Sequence, residues 1–301
     1  MRLGTRGSAL ALAQATPVAE RLGAELVVIR TEGDASSAPL ADLGGSGVFA
    51  TALRTALRAG DVDVVVHSYK DLPTQPADGL EIVAVPRRAD ARDALCAADG
   101  LTLDTLPPGA RVGTGSPRRR AQLLSRRPDL EVVAIRGNVD TRLALVGGAS
   151  TGSAHRLDAV VLAAAGLDRL GRLDAATEFL GIDGWPTAPA QGALAVEMRA
   201  GGLDEVGRQK VARLDHRPSR LAAEAERGVL ARLEAGCSAP VGAHAMLDDG
   251  LLFLSARVYS LDGTRHLTSA HALYPDDVDD PAAELSQRVA DELLAAGADD
   301  L

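Results

Sequence analysis

The sequence predicts an α/β protein with a smaller α+β region at its C-terminal end, and three observations point there. Short apolar runs alternate with helix-period stretches over the first two thirds of the chain, the pattern of α/β layers with mostly parallel strands. After about Gly207 that alternation gives way to a helix, three strand-like runs and a last helix. A length of 301 residues, 46% of them hydrophobic, is enough to bury two or three cores. With three Phe, three Tyr and one Trp, those cores must be built from Ala, Leu and Val.

The elements follow in order. Arg2–Thr5 and Glu25–Arg30 read as strands on either side of a helix at Ala9–Leu22. A helix at Phe49–Ala59 leads to strands at Val62–His67 and Ile82–Val85. Strands at Arg111–Gly113, Glu131–Ile135, Asp158–Ala163 and Ala193–Glu197 continue the series, with a helix at Pro117–Ser125 that Pro117 suits as a first helical residue. Farther on, Leu221, Ala225, Leu230 and Leu233 share a helical face. Strands near Ala243, at Leu252–Tyr259 and at Arg265–Leu273 come next, with Asp262-Gly263 as a turn signal. The final helix begins at Pro281, carries Leu285, Val289 and Leu293 on one face, and stops at Gly297. Gly147–Ser153 (GGASTGS) reads as a flexible surface loop.

The formal charge of −9 is unevenly distributed. Arg111–Arg142 holds eight Arg and three acidic residues, whereas Ala270–Leu301 holds nine acidic residues and one Arg. An acidic total argues against nucleic acid or an anionic membrane as partner, but it leaves room for a basic cleft behind an acidic tail. The longest apolar run, Ala159–Leu167, is about half the ~20 residues of a membrane span. The start of the chain has no secretory apolar region. Two cysteines 141 positions apart give neither a disulfide framework nor zinc spacing. The six His show no ligand pairing, so no metal is expected. The expectation is a soluble, cytoplasmic protein.

Two segments share one logic of strand, small-residue turn and helix: GTRGSALALAQA from Gly4 and VGTGSPRRRAQLL from Val112. Ser8 and Ser116 sit where N-caps belong, and the free N–H groups of such a turn attract anions. Arg118 and Arg119 oppose the helix dipole in the first turn, a placement that a bound anion would make sensible; ordinary capping with solvated Arg is the competing reading. Neither segment carries a P-loop Lys or dinucleotide spacing, so carboxylates suit as well as phosphates. After the strand Val62–His67 comes Ser68-Tyr69-Lys70-Asp71, at a strand end where α/β ligands collect. Lys70 is one of two lysines in a chain with 30 arginines. Asp71 could be a general acid/base or the counter-charge to a cation, or half of a surface ion pair. Arg136 and Arg142 flank a turn at Asn138, and with Arg6 and Arg169 they suggest either a polyanionic ligand or a solvated basic face. Cys237 follows a helix that Gly236 would end, whereas Cys96 reads as a core thiol.

Taken together, RLGTRGSALALAQA, TEGD (Thr31–Asp34), HSYKDLPT (His67–Thr74), VGTGSPRRRAQL, RGNVDTRL (Arg136–Leu143), LAAAGLDRLG (Leu162–Gly171), AQGALAVE (Ala190–Glu197) and LEAGCSAPVGA (Leu233–Ala243) resemble the hydroxymethylbilane synthase, or porphobilinogen deaminase, family over nearly the whole chain. The resemblance implies two α/β lobes like those of a periplasmic binding protein plus a small α+β C-terminal domain. The corresponding division is 1–88 with 187–206, then 89–186, then 207–301. It implies a transferase of haem and porphyrin biosynthesis that joins porphobilinogen units head to tail into hydroxymethylbilane and releases ammonia. Cys237 would anchor a dipyrromethane cofactor through a thioether. Asp71 would be the catalytic residue, shuttling a proton and stabilising the cation formed as ammonia leaves. Arg6, Ser8, Ser68, Lys70, Thr114, Ser116, Arg118, Arg119, Arg136, Arg142 and Arg169 would hold acetate and propionate groups, with Gln191 and Phe49 as further cleft contacts. A monomer is implied. The chain departs from the family pattern at Ser46, where Lys is frequent, at Gly115, where Ser is common, and at Ala91, where Pro often stands. Two readings of other classes compete: a non-catalytic two-lobed binder of a small carboxylate, and a thiol-dependent enzyme using Cys237.

Overall fold

The computed structural model describes residues 1–29, 47–147, 156–234 and 239–301. Thr31–Asp34, Ser46, Cys237 and residues 148–153 of the GGASTGS patch lie outside the described residues, as does the side chain of Phe49. The first lobe opens with β1 (Arg2–Arg6), α1 (Ala9–Leu22), β2 (Glu25–Ile29), α2 (Gly47–Ala59), β3 (Val64–Ser68) and β4 (Leu80–Ala84). A second series runs β5 (Asp93–Ala97), β6 (Arg111–Thr114), α3 (Pro117–Arg126), β7 (Glu131–Ala134), α4 (Val139–Leu143), β8 (Ala159–Ala163), α5 (Ala164–Arg169) and β9 (Glu178–Leu180). The chain then returns through β10 (Leu194–Arg199) and α6 (Glu205–Ala212), and ends with α7 (Arg217–Arg232), β11 (Val241–Asp248), β12 (Leu251–Tyr259), β13 (His266–Leu273) and α8 (Pro281–Ala295).

The two large sheets have one plan, β2-β1-β3-β10-β4 and β7-β6-β8-β5-β9. In the first, β1 pairs parallel with β2 and β3, and β10 lies antiparallel between β3 and β4. In the second, β6 pairs parallel with β7 and β8, and β5 lies antiparallel between β8 and β9. The odd strand in each sheet is the one that has just arrived from the other lobe. Apolar runs such as VVV in β3 and AVVL in β8 suit strands covered on both faces. Leu3, Val18, Leu22, Val64, Val196 and Met198 form a core on one side of the first sheet, and Leu53, Leu57, Val62 and Val65 form one on the other. The second sheet repeats this, with Leu95, Val112, Leu123 and Trp185 in one core and Cys96, Ile135, Leu162 and Leu167 in the other.

The sequence pattern misses β5, β9 and α6. The boundary drawn at 206/207 cuts through α6, yet its buried Val211 packs with Leu3, Val18 and Leu22, so this helix goes with the first lobe. In the third region an antiparallel sheet β11-β12-β13 packs against α7 and α8 around Ala225, Val229, Leu252, Leu254, Leu285, Val289 and Leu293. The tight turn there is Asp249-Gly250, at φ 44° and 79°, the pair of positive angles a two-residue hairpin needs. Asp262-Gly263 lies, as expected, in a turn between β12 and β13, closed by the Gly263 N–H on the Ser260 carbonyl at 2.9 Å, and Gly263 (φ 75°) passes so close to the Ala121 carbonyl of α3 that a Cβ would collide.

Candidate active site

The site residues sit where strands end. β1 delivers Arg6, and the Ser8 hydroxyl accepts the Ala11 N–H at 3.3 Å to cap α1. β3 ends at Ser68, whose hydroxyl bonds the Gln14 amide at 2.8 Å, and a 3-10 turn then carries Tyr69, Lys70 and Asp71. In the second lobe β6 ends at Thr114, which accepts the Ser116 N–H at 3.1 Å, while Ser116 accepts the Arg119 N–H at 3.4 Å as cap of α3. The Asn138 side chain accepts the Thr141 N–H at 2.8 Å and so caps α4 between Arg136 and Arg142. Arg169 closes α5 and donates to the Gly192 carbonyl at 2.8 Å. Both sets lie at the carboxyl ends of parallel strands, where ligands of open α/β sheets bind, and α1 meets α5 where the lobes touch. A small pocket on the first-lobe side is lined by Arg6, Gln14, His67, Ser68 and Asp71.

Arg118 and Arg119 stand apart from the solvated reading: they are only 3% and 6% exposed. Both bind Asp93 on β5, Arg118 through Nη2 at 2.9 Å and Arg119 through Nη2 at 2.6 Å. Trp185 donates to the same carboxylate at 2.9 Å and Gln191 at 2.8 Å. Gln191 in turn accepts from Lys70 Nζ at 3.1 Å. Asp93, on the strand entering the second lobe, and Gln191, on the segment returning to the first, therefore join the cations of both lobes. Burial opposes ionisation of Asp93, but the two guanidinium groups outweigh it and hold the carboxyl far below its usual range. Arg118 Nε is buried with no hydrogen-bond partner among the described residues.

Charge in the site is out of balance. Burial pushes the Lys70 ammonium down to about 8, with Asp71 opposing and Arg119 adding to the fall. Burial also lowers Arg142, helped by Arg119 and Arg136, and lowers Arg169. Arg92 and Arg127, hydrogen-bonded to Asp90 and Asp129, are shifted the opposite way. Arg142 Nε is buried without a hydrogen-bond partner among the described residues. Asp71 is exposed, and no side chain among the described residues hydrogen-bonds its carboxylate. Cations so placed gain from an anionic ligand, and guanidinium forks match carboxylates. Gly115 is fixed by space: a Cβ there would lie 2.7 Å from the Ile135 carbonyl, so on this backbone the position excludes a side chain.

Sequence reasoning missed three residues. Asp93 is a lone charge in an otherwise apolar strand, DALCA. Glu226, fully buried, accepts from Arg88 at 2.6 Å, from Ala190 N–H at 2.6 Å and from Ala245 N–H at 2.7 Å. Arg227, 8% exposed, donates to the Tyr69, Leu72 and Pro73 carbonyls. The signal for Glu226 was present: it falls four residues from both Ala222 and Leu230 on the buried stripe of α7.

The model of the "Porphobilinogen deaminase, dipyromethane cofactor binding domain" matches residues 1–205, and that of the "Porphobilinogen deaminase, C-terminal domain" matches 220–295. The chain belongs to the porphobilinogen deaminase family. A porphobilinogen deaminase of Leifsonia xyli is 58% identical over all of this chain and 94% of its own length. Those of Micrococcus luteus and Cutibacterium acnes are each 51% identical, over 99% and 100% of this chain and 93% and 96% of their own lengths. Among solved structures, a methionine-binding lipoprotein of Bacillus subtilis matches 71% of this chain and 89% of its own at 14% identity and a TM-score of 0.38, too faint a likeness to build on. The porphobilinogen deaminase cofactor model spans Arg6 to Gln191 of the site, and those residues suit a group rich in carboxylates: among the described residues Arg142 Nε and Arg118 Nε are buried without a hydrogen-bond partner, and burial lowers Lys70, Arg142 and Arg169. Among the described residues no His, Cys, Asp and Glu gather as a metal site, and no helix is long and apolar enough to cross a membrane.

Proposed function

We propose that this chain joins porphobilinogen units head to tail into the linear tetrapyrrole hydroxymethylbilane, as a transferase of tetrapyrrole biosynthesis. The observation that carries the reading is the gathering of half-buried cations at the strand ends around an exposed Asp71, whose carboxylate no side chain among the described residues hydrogen-bonds. Porphobilinogen brings an acetate and a propionate, and each added ring brings two more carboxylates to that surplus. Each addition forms one carbon–carbon bond between pyrroles, expels ammonia and removes one ring proton. Asp71 is placed to stabilise the cation that develops on the substrate as ammonia leaves and to carry the proton. Lys70, Arg6, Arg136, Arg142 and Arg169, with the capped starts of α1 and α3 at Ser8 and Ser116, hold carboxylates. Arg119 and Arg118 set the charge and position of that wall through Asp93. Thr114 and Ser68 shape the turns, and Phe49 stands at the start of α2.

The dipyrromethane cofactor, attached to Cys237 through a thioether, supplies the pyrrole carbon from which the chain grows. The working division is 1–88 with 187–206, 89–186 and 207–301, with α6 moved to the first lobe, in a cytoplasmic monomer. Intact mass of the denatured protein tests the assignment: an adduct on the Cys237 peptide supports it, and a wholly unmodified pool favours a carboxylate-binding protein instead. Asp71→Ala is expected to keep the adduct and lose turnover by on the order of 100-fold or more; undiminished turnover would refute the role.

A further inference from the structure

We propose that Arg227, on the third region's helix α7, is the positioning residue for Asp71. The inference rests on the assignment of Asp71 as the acid–base group. Its guanidinium donates to the Tyr69 carbonyl at 3.0 Å, the Leu72 carbonyl at 2.9 Å and the Pro73 carbonyl at 2.6 Å. It also lies over the Tyr69 ring, 4.5 Å from the centroid. The clamped carbonyls fall on both sides of Asp71 in the chain. Besides this clamp, Lys70 Nζ in the turn donates to Gln191 Oε1 at 3.1 Å, Tyr69 N–H to the Ala193 carbonyl at 3.0 Å, and Leu72 N–H to the Tyr69 carbonyl at 3.3 Å. Since no side chain among the described residues hydrogen-bonds the Asp71 carboxylate, its place is set by this backbone. A planar fork reaching three carbonyls from one rigid helix fixes that backbone in a way a single ammonium does not. Arg227 stands ten positions before Cys237, so the region that carries the cofactor cysteine also fixes the catalytic turn.

The test uses holoenzyme whose Cys237 adduct has been verified by mass, as Arg227→Met and Arg227→Lys. The Met variant is expected to lose kcat by at least about 10-fold, because small misplacements of a reacting group are costly, with KM within about 2-fold of wild type. The Lys variant is expected to fall between the two. Hydrogen exchange of the 69–74 peptide is expected to quicken in the Met variant. Arg220→Lys is the control: Arg220 holds the Val83 carbonyl at 2.8 Å from the same helix and is not among the donors to the Tyr69, Leu72 and Pro73 carbonyls, and should lose stability without losing kcat. Wild-type kcat in either Arg227 variant, or a change in KM alone, overturns the inference, and if the Met variant does not fold the Lys variant decides. Should Asp71→Ala itself turn over normally, the Asp71 assignment fails instead.

Discussion

Lys70 is a half-buried cation in a chain that otherwise favours Arg, and its chemistry sets a pH dependence. Burial holds its ammonium near 8, so charge is present below that pH and is lost as pH rises through it. The unfolded lysine keeps its proton to the ordinary value of 10.5, so the penalty that this buried charge places on the fold fades between those two values. KM for porphobilinogen is therefore expected to rise above pH 8, and Lys70→Arg should remove the rise; profiles of KM from pH 7 to about 9.5 check this. Asp93 makes a second residue-scale case. Asp93→Asn leaves two guanidinium groups buried without a counter-charge, at an expected cost of about 3–5 kcal/mol in denaturant unfolding. The sequence displayed Arg118 and Arg119 clearly, but not that they are satisfied internally. Their partner is 25 residues upstream of Arg118 in an apolar strand, and no local periodicity reports a pairing at that distance.

Elements with strong local rules were legible. Ser8 and Gly23 bound α1, Ser116 and Pro117 open α3, and each feature follows from capping chemistry alone. Ser116→Ala is expected to cost about 1 kcal/mol by loss of the cap and to raise KM, measured by thermal unfolding beside steady-state rates. Elements fixed by distant partners were not legible: β9 is short, and α6 is stabilised by Val211 entering a core made mostly by residues near the start of the chain. The returning segment shows the same dependence on tertiary context. Ala190 sits at φ 62°, its N–H held by Glu226 at 2.6 Å. Gly192 follows at φ 86°, where a Cβ would lie 2.7 Å from the Ala89 carbonyl. Ala190→Gly is expected to leave stability equal or higher by up to about 1 kcal/mol, whereas Gly192→Ala should lower it.

For the whole molecule, the total charge of −9 misrepresents the surface a substrate meets. The acidic excess belongs to the last stretch of chain, and the site gathers cations from both lobes. Raising salt from about 50 to 500 mM should increase KM several-fold through screening and change kcat less; salt-insensitive binding would mean that carboxylate pairing does not dominate. The α/β class was visible in the alternation of strands and helices, and the two-lobed plan came from the family resemblance, but the reversed strand in each sheet was not visible, since short apolar runs carry no direction.

That reversed strand has a consequence for synthesis. Among the described residues β4 pairs only with β10, which is inserted between it and β3. A ribosome that has completed β4 must still make the entire second lobe before the first sheet can close. The second sheet, β5 to β9, needs no strand from outside its own stretch. The half of the molecule made later can thus fold earlier, and the nascent N-terminal half waits with an unpaired edge, the state in which chains are most open to proteolysis and mispairing.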